Sequence, residues 1–264
     1  MKRIRLVLAY DGTDFRGWAE QRKAVTIQGT LKTCINRISG EHVDLRGASR
    51  TDSGAHAKGQ VADFETGNPM PASKWAFVLN RMLPPSIQVV KSDEVIEKFH
   101  SRFYAVHRIY EYRISESQKL GPWKARFVHC EGNELNLKRM KSAAKLLEGK
   151  HDFRAFGEEL AGVENAVREL YKVSVNRTEE EVRIKYKGTA FLRGMVRRMS
   201  GALVEIGKGK QSEEWIAEML DPRKRDKRQW AKVLPACGLC LVKVDYGKEM
   251  RDLRNKNKEL PEWE

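Results

Sequence analysis

The stretch Gly47-Ala48-Ser49-Arg50-Thr51-Asp52-Ser53-Gly54-Ala55-His56-Ala57-Lys58-Gly59-Gln60-Val61 is the most informative part of this chain. Its three glycines permit tight turns and the close approach of another backbone. Between them, Arg50 and Asp52 set a guanidinium beside a carboxylate. Gln60 to Phe64 then place apolar side chains on alternate positions, which predicts a short strand. An acidic residue on a turn beside a strand is well placed to act on a ligand lying across a sheet. A weak surface ion pair in a polar loop is the alternative interpretation.

The composition favours a polyanionic partner. The chain has 264 residues, 41% of them hydrophobic, which is enough to bury a core in one large or two small domains. Its formal net charge is +14, from 50 basic and 36 acidic residues. No apolar run is long enough to span a bilayer, and Met1-Lys2-Arg3-Ile4 leads directly into a strand pattern where a signal peptide would need an apolar segment. We therefore expect a cytoplasmic protein without a membrane segment, and a generally basic surface remains the alternative to a nucleic-acid partner.

The four cysteines do not make a convincing metal site. Cys237 and Cys240 form a Cys-x-x-Cys pair, but a structural zinc ion needs four ligands and no second pair has suitable spacing. Cys240 also lies within Leu239 to Val244, a predicted strand on which it faces inward. We expect no metal and free, packed cysteines, which agrees with a reducing compartment.

Periodicity predicts alternating strands and helices of an α+β protein. Apolar spacing indicates a helix through Ile27, Leu31, Ile35 and Ile38 that ends at Gly40. Strands are predicted at 3–10, 42–46, 60–65, 87–90, 103–114, 171–175, 182–186 and 239–246, and further helices around 75–82, 137–147, 192–206 and from Ser212. The glycines at positions 194 and 201 fall inside the helix predicted for 192–206, which indicates close packing against another element.

Further motifs follow along nearly the whole chain. They are Tyr10-Asp11-Gly12-Thr13 with Phe15, Gly17 and Trp18; Thr26-Ile27-Gln28-Gly29 with Leu31; Leu83-Pro84-Pro85-Ser86-Ile87; Phe99-His100-Ser101-Arg102-Phe103; Arg108-Ile109-Tyr110-Glu111-Tyr112; His151-Asp152-Phe153; Phe191-Leu192 with Met195-Val196-Arg197; and Gly238-Leu239 with Leu241. With the Arg50-Thr51-Asp52 segment, they resemble the tRNA pseudouridine synthase A family. Ser49 replaces the glycine usual there, Ser53 and Ala55 replace Ala and Val, and Ala19-Glu20-Gln21 replaces a Gln-rich stretch.

The resemblance implies a pseudouridine synthase-like fold of two related α/β lobes, whose mainly antiparallel sheets merge around a central RNA-binding cleft. Residues 1–104 would form the N-terminal catalytic lobe and residues 105–247 the C-terminal lobe, followed by a charged, mobile tail at 248–264. The implied activity is the isomerisation of uridine in the tRNA anticodon stem-loop, at about nucleotides 38–40, where bases can be splayed out. A homodimer and no small-molecule cofactor are implied as well.

The same resemblance suggests roles for particular residues. Asp52 would be the nucleophile or base, and Arg197 the cation that keeps it ionised across the cleft, since a buried carboxylate needs such a partner. Tyr110 would stack on the uracil, with its hydroxyl assisting proton transfer. Arg50 would contact RNA. Arg193, one turn from Arg197 on the same predicted helix face, would also bind RNA, and Leu241 would form a wall of the pocket. His56 is interpreted as structural.

Residue chemistry leaves alternatives open at these positions. A solvated helix face would also explain Arg193 and Arg197, and core packing would explain Tyr110 and Leu241, although Arg108 on the face of Tyr110 does not suit an apolar core. Basic residues cluster at 102–126, 185–210 and 222–232. A pseudouridine synthase for another RNA and a non-catalytic basic RNA-binding protein are the competing functions.

Overall fold

A computed structural model describes residues 1–179, 181–224 and 230–247. Its strands are β1 (Lys2–Tyr10), β2 (Arg46–Gly47), β3 (His56–Thr66), β4 (Ile87–Val95), β5 (His107–Ser115), β6 (His129–Cys130), β7 (Gly149–Asp152), β8 (Val167–Arg177), β9 (Val182–Gly188) and β10 (Leu239–Asp245). Its helices are α1 (Ile27–Ser39), α2 (Trp75–Asn80), α3 (Pro122–Ala125), α4 (Leu137–Leu146), α5 (Met195–Gly207) and α6 (Glu214–Leu220). Short 3₁₀ turns lie at Ala72–Lys74, Arg154–Phe156 and Ala236–Gly238.

One ten-stranded sheet runs through the described residues in the order β4-β1-β3-β10-β5-β9-β8-β7, with β2 beside β3 and β6 beside β5. The β3–β10 and β5–β6 pairs are parallel and the other pairs are antiparallel. This arrangement confirms the predicted α+β class with a mainly antiparallel sheet. The strands before residue 104 lie at one end of the order and those after it at the other, and they join where β3 pairs with β10. The division into two lobes at that residue stays a prediction, and the tail at 248–264 lies outside the described residues.

Alternation along β1 and β5 explains how the sheet buries one face. Ile4, Leu6 and Leu8 of β1 are fully buried, and the residues between them are only partly covered. Of the face predicted for the strand at 103–114, Tyr110, Tyr112 and Ile114 are buried in the same core, and Arg108 is buried at the cleft. The prediction is wrong for Val106, which precedes β5 and is exposed. Helices α4 and α5 pack against each other, α4 on β8 and α5 on β5. The core therefore lies beneath the helices, and no helix in the described part of the chain is long and apolar enough to cross a membrane.

Helix α1 has the termini that the sequence predicts. The Thr26 side chain accepts a hydrogen bond from the Gly29 amide at 3.2 Å, and Gly40 ends the helix in the left-handed region at φ 74°. The predicted strand at 42–46 is wrong, because only Arg46 and Gly47 pair with β3. The Val43 amide instead donates to the side chain of Asn36 at 3.1 Å. A helix side chain thus takes up the backbone donor that a strand ladder would have used.

The prediction for the start of α5 is also wrong. Gly194 does not lie inside the helix but precedes it, with φ 68°, and a methyl group there would collide with Glu158. Because α5 begins at Met195, Arg193 lies outside it and does not share a helix face with Arg197. Gly201 does lie within α5, and its predicted close packing is confirmed, since a Cβ there would be 2.1 Å from the Lys232 carbonyl oxygen.

Candidate active site

Residues 48–54 form the loop that carries Asp52, here called the Asp52 loop. Ser49 and Thr51 point toward the sheet, where their hydroxyls meet those of two tyrosines: Ser49 Oγ lies 2.5 Å from Tyr110 Oη, and Thr51 Oγ1 lies 2.8 Å from Tyr10 Oη. At the alternate positions Arg50 is exposed and Asp52 is half-buried, and both line the cleft together with Ser49 and Thr51. The hydroxyl contacts of Ser49 and Thr51 thus hold the loop against the sheet. The charged groups of Arg50 and Asp52 remain available to a ligand.

A buried amide and a tight turn fix the backbone of the Asp52 loop. The fully buried Gln60 donates from Nε2 to the Ser49 carbonyl at 2.6 Å and accepts from the Ser49 amide at 3.2 Å. On the other side, the Trp18 amide donates to the Thr51 carbonyl at 3.1 Å. Gly17, at φ 86°, makes this approach possible because a Cβ there would lie 2.8 Å from the Thr51 oxygen. The loop is therefore held on both sides before any ligand binds.

The structure brings Asp52 and Arg197 together across the cleft. Arg197, in the first turn of α5, donates from Nη1 to Asp52 Oδ2 at 3.1 Å and from Nε to the Leu234 carbonyl at 2.7 Å. The side chains are 20% and 15% exposed, for Arg197 and Asp52 respectively. Two separate donors of one rigid guanidinium thus serve two acceptors at once. The pair supplies an oriented carboxylate whose second oxygen can face a substrate.

Tyr110 lies beside this pair as a buried residue of β5. Its strand neighbours in register are Leu241 of β10 and Tyr186 of β9, and the ring of Phe191 meets its own ring edge-on at 5.0 Å between centroids. Burial is the main cause that raises the pKa of Tyr110 to about 12, so the hydroxyl keeps its proton at neutral pH. Leu241 is fully buried, and the residue of β10 on the cleft lining is Leu239, which the sequence reasoning missed.

The cleft above these residues has a volume of about 640 Å³ and a basic lining. Asp52 is the one carboxylate among the described residues that line it. Six arginines share the lining, namely Arg16, Arg50, Arg102, Arg108, Arg168 and Arg193. Arg50 and Arg193 are both exposed there, and Arg193 forms an ion pair with Glu159. This concentration of guanidinium groups suits a polyanion, because phosphate groups attract arginine strongly.

Arg108 is a residue of the cleft whose part the sequence reasoning did not define. It is 7% exposed and donates to the carbonyl oxygens of Thr189 at 2.6 Å, Arg102 at 2.7 Å and Ala48 at 3.2 Å. Burial lowers the pKa of its guanidinium. One cation thereby joins the Asp52 loop to two other segments of the cleft. The signal for it was present, since a charged residue on the buried face of a strand must find polar partners.

The described residues hold no cluster of three or more His, Cys, Asp or Glu side chains placed for a metal ion. Cys240 is buried in β10, and Cys237 is half-buried and free. His56 accepts from the Gly12 amide at 3.2 Å and packs against the ring of Phe127, while burial lowers its pKa. These contacts suit the predicted structural part of His56. Of the three basic clusters, the one at 222–232 includes residues 225–229, which lie outside the described residues.

Comparisons with known proteins agree over most of the chain. Residues 6–104 and 143–247 match the family model described as tRNA pseudouridine synthase. The chain is 40% identical over 246 residues to tRNA pseudouridine synthase A of Brevibacillus brevis and 38% identical to that of Acetivibrio thermocellus, in both cases covering 93% of this chain and 100% of the relative. A chain in the crystal structure of the archaeal box H/ACA sRNP Nop10–Cbf5 complex is similar over 76% of this chain and 44% of that one, at 8% identity and a TM-score of 0.35.

Proposed function

We propose that this chain, which belongs to the tRNA pseudouridine synthase family, isomerises uridine to pseudouridine in the anticodon stem-loop of tRNA. Asp52 is the reacting carboxylate in this proposal. The observation that carries the proposal is the Asp52–Arg197 pair, 3.1 Å apart, at an arginine-lined cleft. The relatives' names supply the substrate class. The stem-loop, at about nucleotides 38–40, comes from the resemblance of the sequence and from the ease with which bases leave the stack at the end of a stem.

The reaction moves one bond within the substrate. The glycosidic bond between C1′ and N1 breaks, the base turns, and C5 bonds to C1′, while C5 loses a proton and N1 gains one. Nothing is oxidised and no atom is added. Asp52 acts either by attacking C1′ or by removing a proton from the sugar, and both routes need an ionised, oriented carboxylate. Arg197 orients the carboxylate, because its hydrogen bond at 3.1 Å fixes one of the two oxygens.

The target uridine has to leave its stack to reach Asp52. Tyr110 and Phe191 offer aromatic surface near the carboxylate, and an extruded base is usually held by stacking on such rings. The hydroxyl of Tyr110 keeps its proton at neutral pH and can donate a hydrogen bond to the base. Arg50 and Arg193 are exposed on the lining, where they can bind phosphates of the opened strand. The role of Leu241 in the pocket wall would be indirect, through the positions of Tyr110 and Leu239.

The competing functions are weaker on these observations. A binding protein without chemistry needs only the positive surface, so the ordered Asp52–Arg197–Tyr110 arrangement would be superfluous in it. A synthase for another RNA would use the same arrangement, and only the substrate test separates it from the proposal. We also propose a homodimer that shares one tRNA, because the basic clusters are spread more widely than one cleft requires. A cytoplasmic location stays a prediction.

Substrate mapping tests the proposal. Unmodified tRNA transcripts are incubated with the purified chain, and pseudouridine is located by chemical adduct formation and primer extension. We expect modification at the uridines of the anticodon stem-loop, and its loss when those uridines are replaced by cytidine. Modification only of an unrelated RNA would favour the alternative synthase, and tRNA binding without any pseudouridine would favour the binding protein. Sedimentation of the free protein tests the homodimer, and a monomer with full activity would contradict it.

A further inference from the structure

Ser49 makes a contact that the proposed chemistry does not by itself require. Its Oγ lies 2.5 Å from Tyr110 Oη, and within the part of the chain that the structure describes this is the one hydrogen-bond partner of the Tyr110 hydroxyl. The Tyr110 side chain is 5% exposed, and Ser49 lies half-buried beside it at the lining of the cleft. A buried hydroxyl without a partner is costly, and Ser49 therefore decides where the Tyr110 oxygen and its proton rest.

The position of Ser49 is itself fixed by a rigid support. Gln60 holds both the amide and the carbonyl of Ser49, at 3.2 and 2.6 Å, and Gln60 is fully buried. These two hydrogen bonds keep the Ser49 backbone in place if the Tyr110 side chain moves. Because Ser49 and Asp52 belong to the same short loop, the hydroxyl pair ties the phenol to the segment that carries the reacting carboxylate.

We propose that Ser49 is a positioning residue for the reaction. It holds the Tyr110 hydroxyl in a fixed place relative to the Asp52 loop. This inference rests on the proposed function, in which Tyr110 contacts the target base. With Ser49 present, the hydroxyl proton and the ring are already placed when the uridine enters, so no rearrangement is needed at the chemical step. Without it, the phenol turns to find another partner, and the fraction of complexes in a reactive arrangement falls.

A second hydroxyl pair in the same sheet provides a matched control. Tyr186, the register neighbour of Tyr110 on β9, lies with its Oη 2.9 Å from Ser200 Oγ, and both residues are fully buried. The two tyrosines lie on adjacent strands, but Ser200 belongs to α5, does not line the cleft and also donates to the Val196 carbonyl at 2.8 Å. Ser200→Ala therefore measures what the loss of a buried Ser–Tyr hydrogen bond, together with the bond to Val196, does away from the cleft.

The test is a double-mutant cycle measured under single-turnover conditions with tRNA. Ser49→Ala is expected to slow pseudouridine formation about two- to tenfold, the effect of one neutral hydrogen bond, while the Kd for tRNA stays unchanged. Ser49→Cys, which puts a weak thiol donor in a similar volume, is expected to show a comparable loss and serves if the alanine variant folds poorly. Ser49→Thr keeps the hydroxyl and is expected to retain most of the rate. In a Tyr110→Phe background, Ser49→Ala is expected to have no further effect, because the partner hydroxyl is gone.

Three results would overturn the inference. One is a wild-type rate for both Ser49→Ala and Ser49→Cys. Another is an equal loss from Ser49→Ala in the wild-type and Tyr110→Phe backgrounds, which would mark a general effect on the loop. The third is a comparable loss of rate in Ser200→Ala at equal loss of thermal stability. Failure of the proposed function is distinguishable from these, because wild-type protein would then form no pseudouridine in the same assay.

Discussion

Replacing Arg197 by lysine should slow the reaction strongly even though the positive charge remains. The Arg197 guanidinium donates to Asp52 at 3.1 Å through one nitrogen and to the Leu234 carbonyl at 2.7 Å through another. A lysine ammonium is a single point donor, so it can satisfy one of these acceptors only by leaving the other. Loss of one charge-assisted hydrogen bond costs about 1.5–3 kcal/mol, which corresponds to roughly a 10- to 150-fold lower rate.

The assay is the single-turnover rate of pseudouridine formation, measured together with the Kd for tRNA. Arg198→Lys is the matched control, because Arg198 donates to the carbonyl of Ala231 at 3.3 Å and packs over Trp230 without contacting Asp52. This control makes the same substitution one residue further along α5, where the arginine also contacts the segment 231–234. We expect a rate close to the wild type for this control. An unchanged rate in Arg197→Lys would contradict this role of Arg197 and transfer the role of cation to Arg50.

Three further predictions concern the base, the packing of α5 and the pH dependence of folding. Tyr110→Ala should lower kcat/KM, by an amount equivalent to about 1–3 kcal/mol of lost stacking energy. Tyr110→Phe should lower it less because it keeps the ring, and wild-type kinetics in both variants would make the residue purely structural. Gly201→Ala should lower the unfolding free energy by about 1–3 kcal/mol and reduce activity, because the added methyl would lie 2.1 Å from the Lys232 oxygen next to the Arg197 anchor; an unchanged thermal midpoint would contradict this. Arg113 holds the pKa of the Glu181 carboxyl below its usual value, so the pair stabilises the fold above the unfolded pKa of about 4.3 and loses that contribution as the pH falls through the folded value. Glu181→Gln should therefore cost about 1.5–3 kcal/mol at neutral pH in urea unfolding, with a difference that shrinks in acid, and a constant difference would argue against the linkage.

The elements with strong local signals were predictable from the sequence. Helix α1 runs from the Thr26 cap to Gly40 because a capping hydroxyl and a left-handed glycine are local features. The alternation along β5 correctly placed Tyr110 on the buried face, since the pleat of a strand has a fixed period of two. Local physical chemistry decides both, so no knowledge of the rest of the molecule was needed.

Elements whose ends depend on one side-chain contact or one backbone conformation were not predictable. The segment from His42 resembles a strand by composition, yet Asn36 captures the backbone of Val43 and prevents pairing. The apolar pattern of α5 likewise extends back through Leu192, but the left-handed Gly194 delays the start of the helix until Met195. Periodicity does not reveal either effect, because each depends on a single tertiary contact or backbone conformation.

The residues of the site also differ in how far the sequence predicts them. Asp52 and its glycine-flanked turn are visible in one short stretch, whereas Arg197 is 145 residues away and was assigned through a family resemblance. Spacing alone cannot bring such residues together, because the pairing of β3 with β10 and the packing of α5 decide their distance. The Ser49–Tyr110 contact and the hydrogen bonds from Arg108 to backbone carbonyls are of this kind. The misfit of a charged Arg108 beside Tyr110 was the one clue that the sequence contained.

The proposed function depends on the carboxylate of Asp52, which we expect to carry out the isomerisation. The most direct measurement is the yield of pseudouridine in tRNA treated with Asp52→Asn, beside its affinity for the same tRNA and its thermal stability. The amide keeps the shape of the side chain but loses the charge and the nucleophilicity of the carboxylate. We expect no detectable pseudouridine from a folded variant that binds tRNA nearly as well as the wild type. Turnover by Asp52→Asn at a rate near that of the wild type would contradict it.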